Sequence, residues 1–199
     1  MRLGLIGGTF DPIHLGHLVA AEEALFQFRL HEVLFVPTGV PPHRDVPATP
    51  AAVRYAMVHR ATRNHPHFWA SRFEVDRDRR GYTVETLAAV WAEMCAESSL
   101  FFITGADAVL EMGTWKQPER VLEQCTVIAA TRPGYDLTEL RTKVEEVRGG
   151  ESIRIMDIPA MGVSSTEIRA RVAAGRSIRY LVPDGVRMMI ERAGLYRET

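Results

Sequence analysis

Six short apolar runs alternate with helix-period patterns along this chain, and that alternation leaves few architectures open. The runs are Leu3 to Ile6, Glu32 to Val36, Phe68 to Phe73, Leu100 to Thr104, Thr126 to Ala130 and Ile153 to Ile155. After the first run, Leu18, Ala21, Leu25 and Phe28 recur at helical spacing, as do Val84, Leu87, Ala88, Trp91 and Cys95 further on. Pro50 opens a helix to about Arg63, and Asp136 to Val147 reads as an exposed helix stopped by Gly149-Gly150. Ser164 to Ala174 and Pro183 to Ala193 are the closing helices. Strands joined by crossover helices imply a mostly parallel sheet covered on both faces, and the unbroken apolar run Val33-Leu34-Phe35-Val36 agrees. The predicted class is α/β, a doubly wound Rossmann-like sheet with helices on both faces and ligands at the carboxyl ends of the strands. One domain is expected over 1–199, with a small helical part from about 161 to 199. Trp69 and Trp91 fall in strand and helix patterns and are expected in the core.

With 199 residues there is ample chain for a core. Lys and Arg total 24 against 25 for Asp and Glu, a net charge of −1, so no general attraction to nucleic acid or an anionic membrane is expected. Two cysteines, Cys95 and Cys125, make no disulfide framework and fit a reducing cytoplasm. No signal peptide is read, and apolar runs such as Leu100 to Ile103 are far too short to span a bilayer. The sequence leaves oligomeric state open, a homo-oligomer included.

The first strand runs into Gly7-Gly8-Thr9-Phe10-Asp11-Pro12-Ile13-His14-Leu15-Gly16-His17. Strand, glycine turn and helix start together suit phosphate: glycines admit a close ligand, and a helix start offers unpaired N–H groups and partial positive charge. The glycine spacing is not that of the dinucleotide fingerprint, and no Gly-Lys-Ser/Thr follows to make a P-loop. His14 and His17 sit three apart at that helix end. As a zinc pair they would lack a third ligand at a telling spacing. Downstream, Val163-Ser164-Ser165-Thr166-Glu167-Ile168-Arg169 reads as a capping box, with Ser164 as cap and Glu167 three residues on. Its hydroxyls and Arg169 also describe an anion site. Gly81-Tyr82-Thr83-Val84-Glu85-Thr86 opens another helix, with Thr83 expected as N-cap. Asp107 either caps its own helix or accepts from a hydroxyl. Trp115 lies in the turn-like stretch Gly113 to Pro118, where it is either core or a flat face for stacking.

Gly-Gly-Thr-Phe-Asp-Pro-x-His-x-Gly-His resembles the signature of nucleotidyltransferases with a paired-histidine motif, and within them bacterial nicotinate-nucleotide adenylyltransferase. The resemblance extends over nearly the whole chain. It implies that His14, His17 and Arg169 act at the reacting phosphates. It places ATP against Gly7, Gly8, Thr9, Phe10, His14, His17, Gly105, Asp107, Arg132, Ser164, Ser165, Thr166 and Arg169. It places nicotinate mononucleotide against Thr9, His43, Arg44, Tyr82, Thr83, Trp115 and Lys116. Pro41-Pro42-His43-Arg44 is similar to a family loop that normally ends in Lys; Arg brings a planar fork in place of a point charge. Magnesium is expected mainly on ATP phosphates, with no protein-made metal site. Three other readings stand beside this one: another adenylyl- or cytidylyltransferase of the same superfamily, such as one acting on phosphopantetheine, a zinc hydrolase using the two histidines, and a nucleotide-binding regulator without turnover.

Overall fold

In the computed structural model, residues 1–40, 49–77, 81–131 and 136–197 are described. Six strands form one sheet: β1 (Arg2–Gly8), β2 (Glu32–Pro37), β3 (Phe68–Ala70), β4 (Ser99–Gly105), β5 (Thr126–Thr131) and β6 (Ile153–Asp157). Their order is β3-β2-β1-β4-β5-β6, and every neighbouring pair is parallel. Register runs from Leu3 opposite Glu32 to Gly8 opposite Pro37 on one side of β1, and from Arg2 opposite Ser99 on the other. This is the doubly wound order, whose direction reverses at β1 and β4 and opens a crevice beyond their carboxyl ends.

Helices α1 (Leu15–Gln27), α2 (Ala51–Thr62), α7 (Ser165–Ala173) and α8 (Asp184–Ala193) cover one face. The other carries α3 (Thr83–Trp91), α4 (Ala106–Leu110), α5 (Pro118–Gln124) and α6 (Leu137–Glu146). The two-residue period of a strand explains the division. Ile6, Val33, Phe35, Phe101, Ile103 and Ile128 join Ala21, Met57, Ile168 and Val186 in the first core. Their neighbours Leu5, Val36, Phe102 and Val127 join Leu87, Val109, Val121 and Leu140 in the second. Side chains buried on both faces are why these strands read as continuous apolar runs.

The structure corrects several local expectations. The third strand ends at Ala70 rather than Phe73, because the chain already turns at Phe73 and Glu74, and Glu74 lines the crevice. The α3 helix ends at Trp91, short of Cys95. Trp69 is 53% exposed rather than core, since β3 is an edge strand and alternation puts Phe68 inward and Trp69 outward. Trp91 packs against the second core and donates its indole N–H to the Gln124 carbonyl at 2.6 Å. Two helices occupy the β4–β5 crossover. The first, α4, stands where Asp107 was expected to cap a helix, but Gly105 takes the N-cap position and Asp107 is the second helical residue. The second, α5, absent from the sequence reading, opens on Pro118 at its first position.

Candidate active site

The site is assembled at the carboxyl ends of β1 and β4. His14 is the N-cap of α1 and His17 its third residue, so both rings stand over the glycine turn. They stack with centroids 3.7 Å apart and planes at 26°. Gly16 lies between them in a tight space: a Cβ there would press on the His14 ring at 3.1 Å and on Val163 at 3.2 Å. The His17 Nδ1 accepts the His14 backbone N–H at 3.2 Å. A neutral His17 therefore carries its proton on Nε2. Phe10 is turned inward, with a φ of 51°, and is 2% exposed; its ring meets His17 edge-on at 4.9 Å. It supports the histidine from below.

Burial sets the charge of the pair. It holds the His14 imidazole down to about 4. His17 is held well below the ordinary range, first by burial and then by its neighbour His14. At neutral pH both rings are uncharged, and each offers one N–H donor. The His14 side chain faces the His17 backbone N–H across the capping box at this helix start, and its Nδ1 is buried.

The second motif docks directly onto the first. Ser165 donates to the Pro12 carbonyl at 2.9 Å, and Arg169 Nη1 donates to the Asp11 carbonyl at 2.8 Å. Ser164 caps α7, accepting from the Glu167 N–H at 3.1 Å. The reciprocal half of the expected box is not formed, because Glu167 pairs with Arg171 at 3.0 Å. Arg169 Nη2 also reaches the Thr166 hydroxyl at 3.3 Å. The guanidinium is thus oriented by two partners at the crevice wall. Asp11, 4% exposed, accepts from the Tyr196 hydroxyl at 2.6 Å and from the Thr49 N–H at 3.3 Å.

On the far side of the crevice, α3 begins with Tyr82 as N-cap, and no side chain caps it. The expected cap, Thr83, is instead the first helical residue and lines the crevice. The start of α3, with its unpaired early N–H groups, therefore borders the opening, and the Glu74 carboxylate lies beside it. The Thr86 hydroxyl donates to Glu74 at 2.6 Å. Burial pushes the Glu74 carboxyl up, against the pull of that hydrogen bond. Trp115 borders the crevice and meets Phe102 edge-on at 5.9 Å. Lys116 stands 4.4 Å above the Tyr82 ring and pairs with Glu85 at 2.7 Å, which ties the Trp115 turn to α3.

One crevice of about 1210 Å³ joins these parts. Of the residues expected for ATP it brings together Gly7, Gly8, Thr9, Phe10, His14, His17, Gly105, Asp107, Ser164, Ser165, Thr166 and Arg169. Of those expected for the mononucleotide it brings Thr9, Thr83 and Trp115. Tyr82 and Lys116 contact each other and are not among the residues lining it. His43, Arg44 and Arg132 lie outside the described residues. The sequence reading missed Glu74, Thr38 and Thr86 on the wall and the buried Arg54 beneath it. Only Arg54 left a signal: it shares the stripe of Met57, Val58 and Ala61, where a charge is out of place.

Comparison with known proteins identifies the family. The cytidylyltransferase-like family matches residues 5–171. A protein of Moorella thermoacetica named as a probable nicotinate-nucleotide adenylyltransferase is 48% identical over 98% of this chain and 92% of its own length. One of the same name from Thermus thermophilus is 47% identical over 99% of this chain and 100% of its own. The fold is shared with the Plasmodium falciparum nicotinic acid mononucleotide adenylyltransferase complexed with NaAD, at a TM-score of 0.75 and 17% identity, covering 98% of this chain and 97% of that one. The chain belongs to the nicotinate-nucleotide adenylyltransferase family, within the cytidylyltransferase-like nucleotidyltransferases.

Proposed function

We propose that this chain transfers the adenylyl group of ATP to nicotinate mononucleotide, giving nicotinate adenine dinucleotide and pyrophosphate, and that the residues assembled above carry the reaction. One observation supports this most: the stacked, neutral histidines, the α7 start with Arg169, and the uncapped α3 start beside Trp115 open onto one crevice. Its volume of about 1210 Å³ suits two nucleotides more than one small ligand.

A phosphate oxygen of the mononucleotide attacks the α-phosphorus of ATP. The bond from that phosphorus to the bridging oxygen breaks, and pyrophosphate leaves with the electron pair. No covalent enzyme intermediate is needed, so positioning and charge stabilisation carry catalysis. The His17 Nε2–H, fixed by the bond at its other nitrogen, is a preorganised donor to the phosphate oxygens where charge builds. His14 supplies a second donor. Arg169 and the α7 start hold the leaving pyrophosphate, as charge-assisted contacts at a helix start do.

At the other end, the nicotinate carboxylate meets the α3 start, where N–H donors and positive potential favour an anion. Trp115 offers a face for the pyridinium. Magnesium would enter on the ATP phosphates. Asp11, the carboxylate beside the glycine turn, is already engaged by Tyr196 and Thr49, so the ATP phosphates would supply most of the ion's ligands. Bound there, the ion would neutralise phosphate charge. The two free cysteines, Cys95 and Cys125, support a cytoplasmic setting, and no described helix is long and apolar enough to cross a membrane.

The test is to incubate the protein with ATP, magnesium and nicotinate mononucleotide. Pyrophosphate and the dinucleotide should appear in equal amounts. Pyrophosphate without dinucleotide would indicate ATP hydrolysis and reject the reading.

A further inference from the structure

Below the crevice lies a buried cation that the proposed chemistry does not use. Arg54, on the first turn of α2, is 1% exposed. Its guanidinium is spent on three backbone carbonyls from three segments: Nη1 donates to Thr9 at 2.7 Å, Nη2 to Gly39 at 2.9 Å, and Nε to Thr49 at 3.0 Å. Thr9 belongs to the turn after β1, Gly39 follows the end of β2, and Thr49 precedes α2. Asp11 and Glu74 lie near enough to favour the charge that burial opposes.

The position of these contacts is informative. Pairing between β1 and β2 ends at Gly8 and Pro37, and one more bond follows, from the Thr38 N–H to the Gly8 carbonyl at 2.9 Å. Beyond that, Thr9 and Gly39 both present acceptors, and two carbonyls cannot bond each other. A planar fork with several N–H donors satisfies both at once and fixes their separation. Helix packing alone asks for no such group, since Met57 and Val58 already anchor α2 in the core and burying a charge is costly.

We propose that Arg54 is a positioning residue for adenylyl transfer, setting the spacing between the turn that borders the ATP side and the end of β2 that borders the mononucleotide side. This rests on the transfer reaction proposed above. Arg54 touches neither substrate. It acts through the Thr9 and Gly39 backbones, each next to a residue that lines the crevice, Gly8 and Thr38.

The test compares wild type with Arg54→Lys, a compact ammonium that cannot span all three carbonyls. At a temperature where both are folded, kcat should fall about 10–100-fold, the scale of a misplacement near 1 Å. The KM for each substrate and the dissociation constant of a non-hydrolysable ATP analogue should stay within about threefold of wild type, because each wall survives by itself. A lower melting temperature with kcat within about threefold of wild type would overturn the assignment and leave Arg54 as a purely structural group. Should Arg54→Lys fail to fold, Gly39→Ala tests the same spacing. A Cβ at Gly39 would collide with the Glu74 carbonyl oxygen and shift the carbonyl that Arg54 holds. The same drop in kcat is expected there, and normal turnover would overturn the proposal. A wild type that makes no dinucleotide would overturn the transfer reading itself, an outcome distinct from an active wild type with an equally active Arg54→Lys.

Discussion

Replacing His17 separates catalysis from stability, because the ring serves both through different atoms. Its Nδ1 accepts the His14 N–H, its ring meets Phe10 edge-on, and its Nε2–H is the donor proposed for the phosphate. His17→Ala removes all three. Losing the hydrogen bond costs about 1 kcal/mol, and losing the edge contact about another 1 kcal/mol. For a chain of this size that is a fall in Tm of roughly 4–8 °C. Losing one donor to developing charge should lower kcat by ~10²–10³. His17→Gln should behave differently. Gln at the third helical position reaches back to the N-cap N–H, as in a capping box. It should recover about 1 kcal/mol of stability relative to Ala while kcat stays at least about tenfold below wild type. Thermal unfolding and steady-state pyrophosphate release on the three proteins check both halves. Wild-type turnover in a folded His17→Ala would refute the donor role, and Gln no more stable than Ala would refute the capping role.

Arg169→Ala should weaken ATP handling more than mononucleotide handling, by roughly 1.5–3 kcal/mol for a lost charge-assisted contact; substrate-specific KM values would show the reverse if the two sites were exchanged. Trp115→Ala should raise the mononucleotide KM about tenfold while leaving the ATP KM in place. The wild type should prefer nicotinate over nicotinamide mononucleotide strongly, up to ~10⁴ in kcat/KM, since an amide would turn a donor toward the donors of the α3 start; Thr83→Val should lower that ratio. For pH, the His14 pKa held near 4 means the unfolded state binds the extra proton between that value and 6.5. Stability contributed by a neutral His14 is therefore complete above pH 6.5 and is lost on acidification toward pH 4, by about 3 kcal/mol. Denaturant titrations at pH 7 and pH 4.5 should show a smaller acid loss in His14→Gln than in wild type.

The sequence carried the layered architecture well, because strands buried on both faces must be apolar throughout, as Val33 to Val36 is. It also carried the signature turn, where glycine and histidine spacing has a direct backbone meaning. It was less informative at edges. Trp69 has the same local pattern as a core residue, and only the place of β3 in the sheet exposes it. Thr83 looks like an N-cap by residue type, yet Tyr82 takes the extended cap conformation and leaves Thr83 free to border the crevice. Glu74 gave no sign at all: its partner Thr86 lies on the next helix, and nothing in the spacing links the two. Arg54 was readable in principle as a charge on an apolar stripe, but the three carbonyls it holds come from separate segments that only the fold brings together.

The hydrogen bond from Tyr196 to Asp11 spans 185 positions of sequence. That separation has a meaning in time. Asp11 is made 185 residues before its partner. At typical elongation rates of about 5–20 residues per second, the interval is roughly 10–40 s. During it the turn after β1 is held without Tyr196, and without the Ser165 and Arg169 bonds to the Pro12 and Asp11 carbonyls. The nascent chain can lay down β1, α1 and β2 first, but the turn after β1 reaches its final form only once Tyr196 has been made.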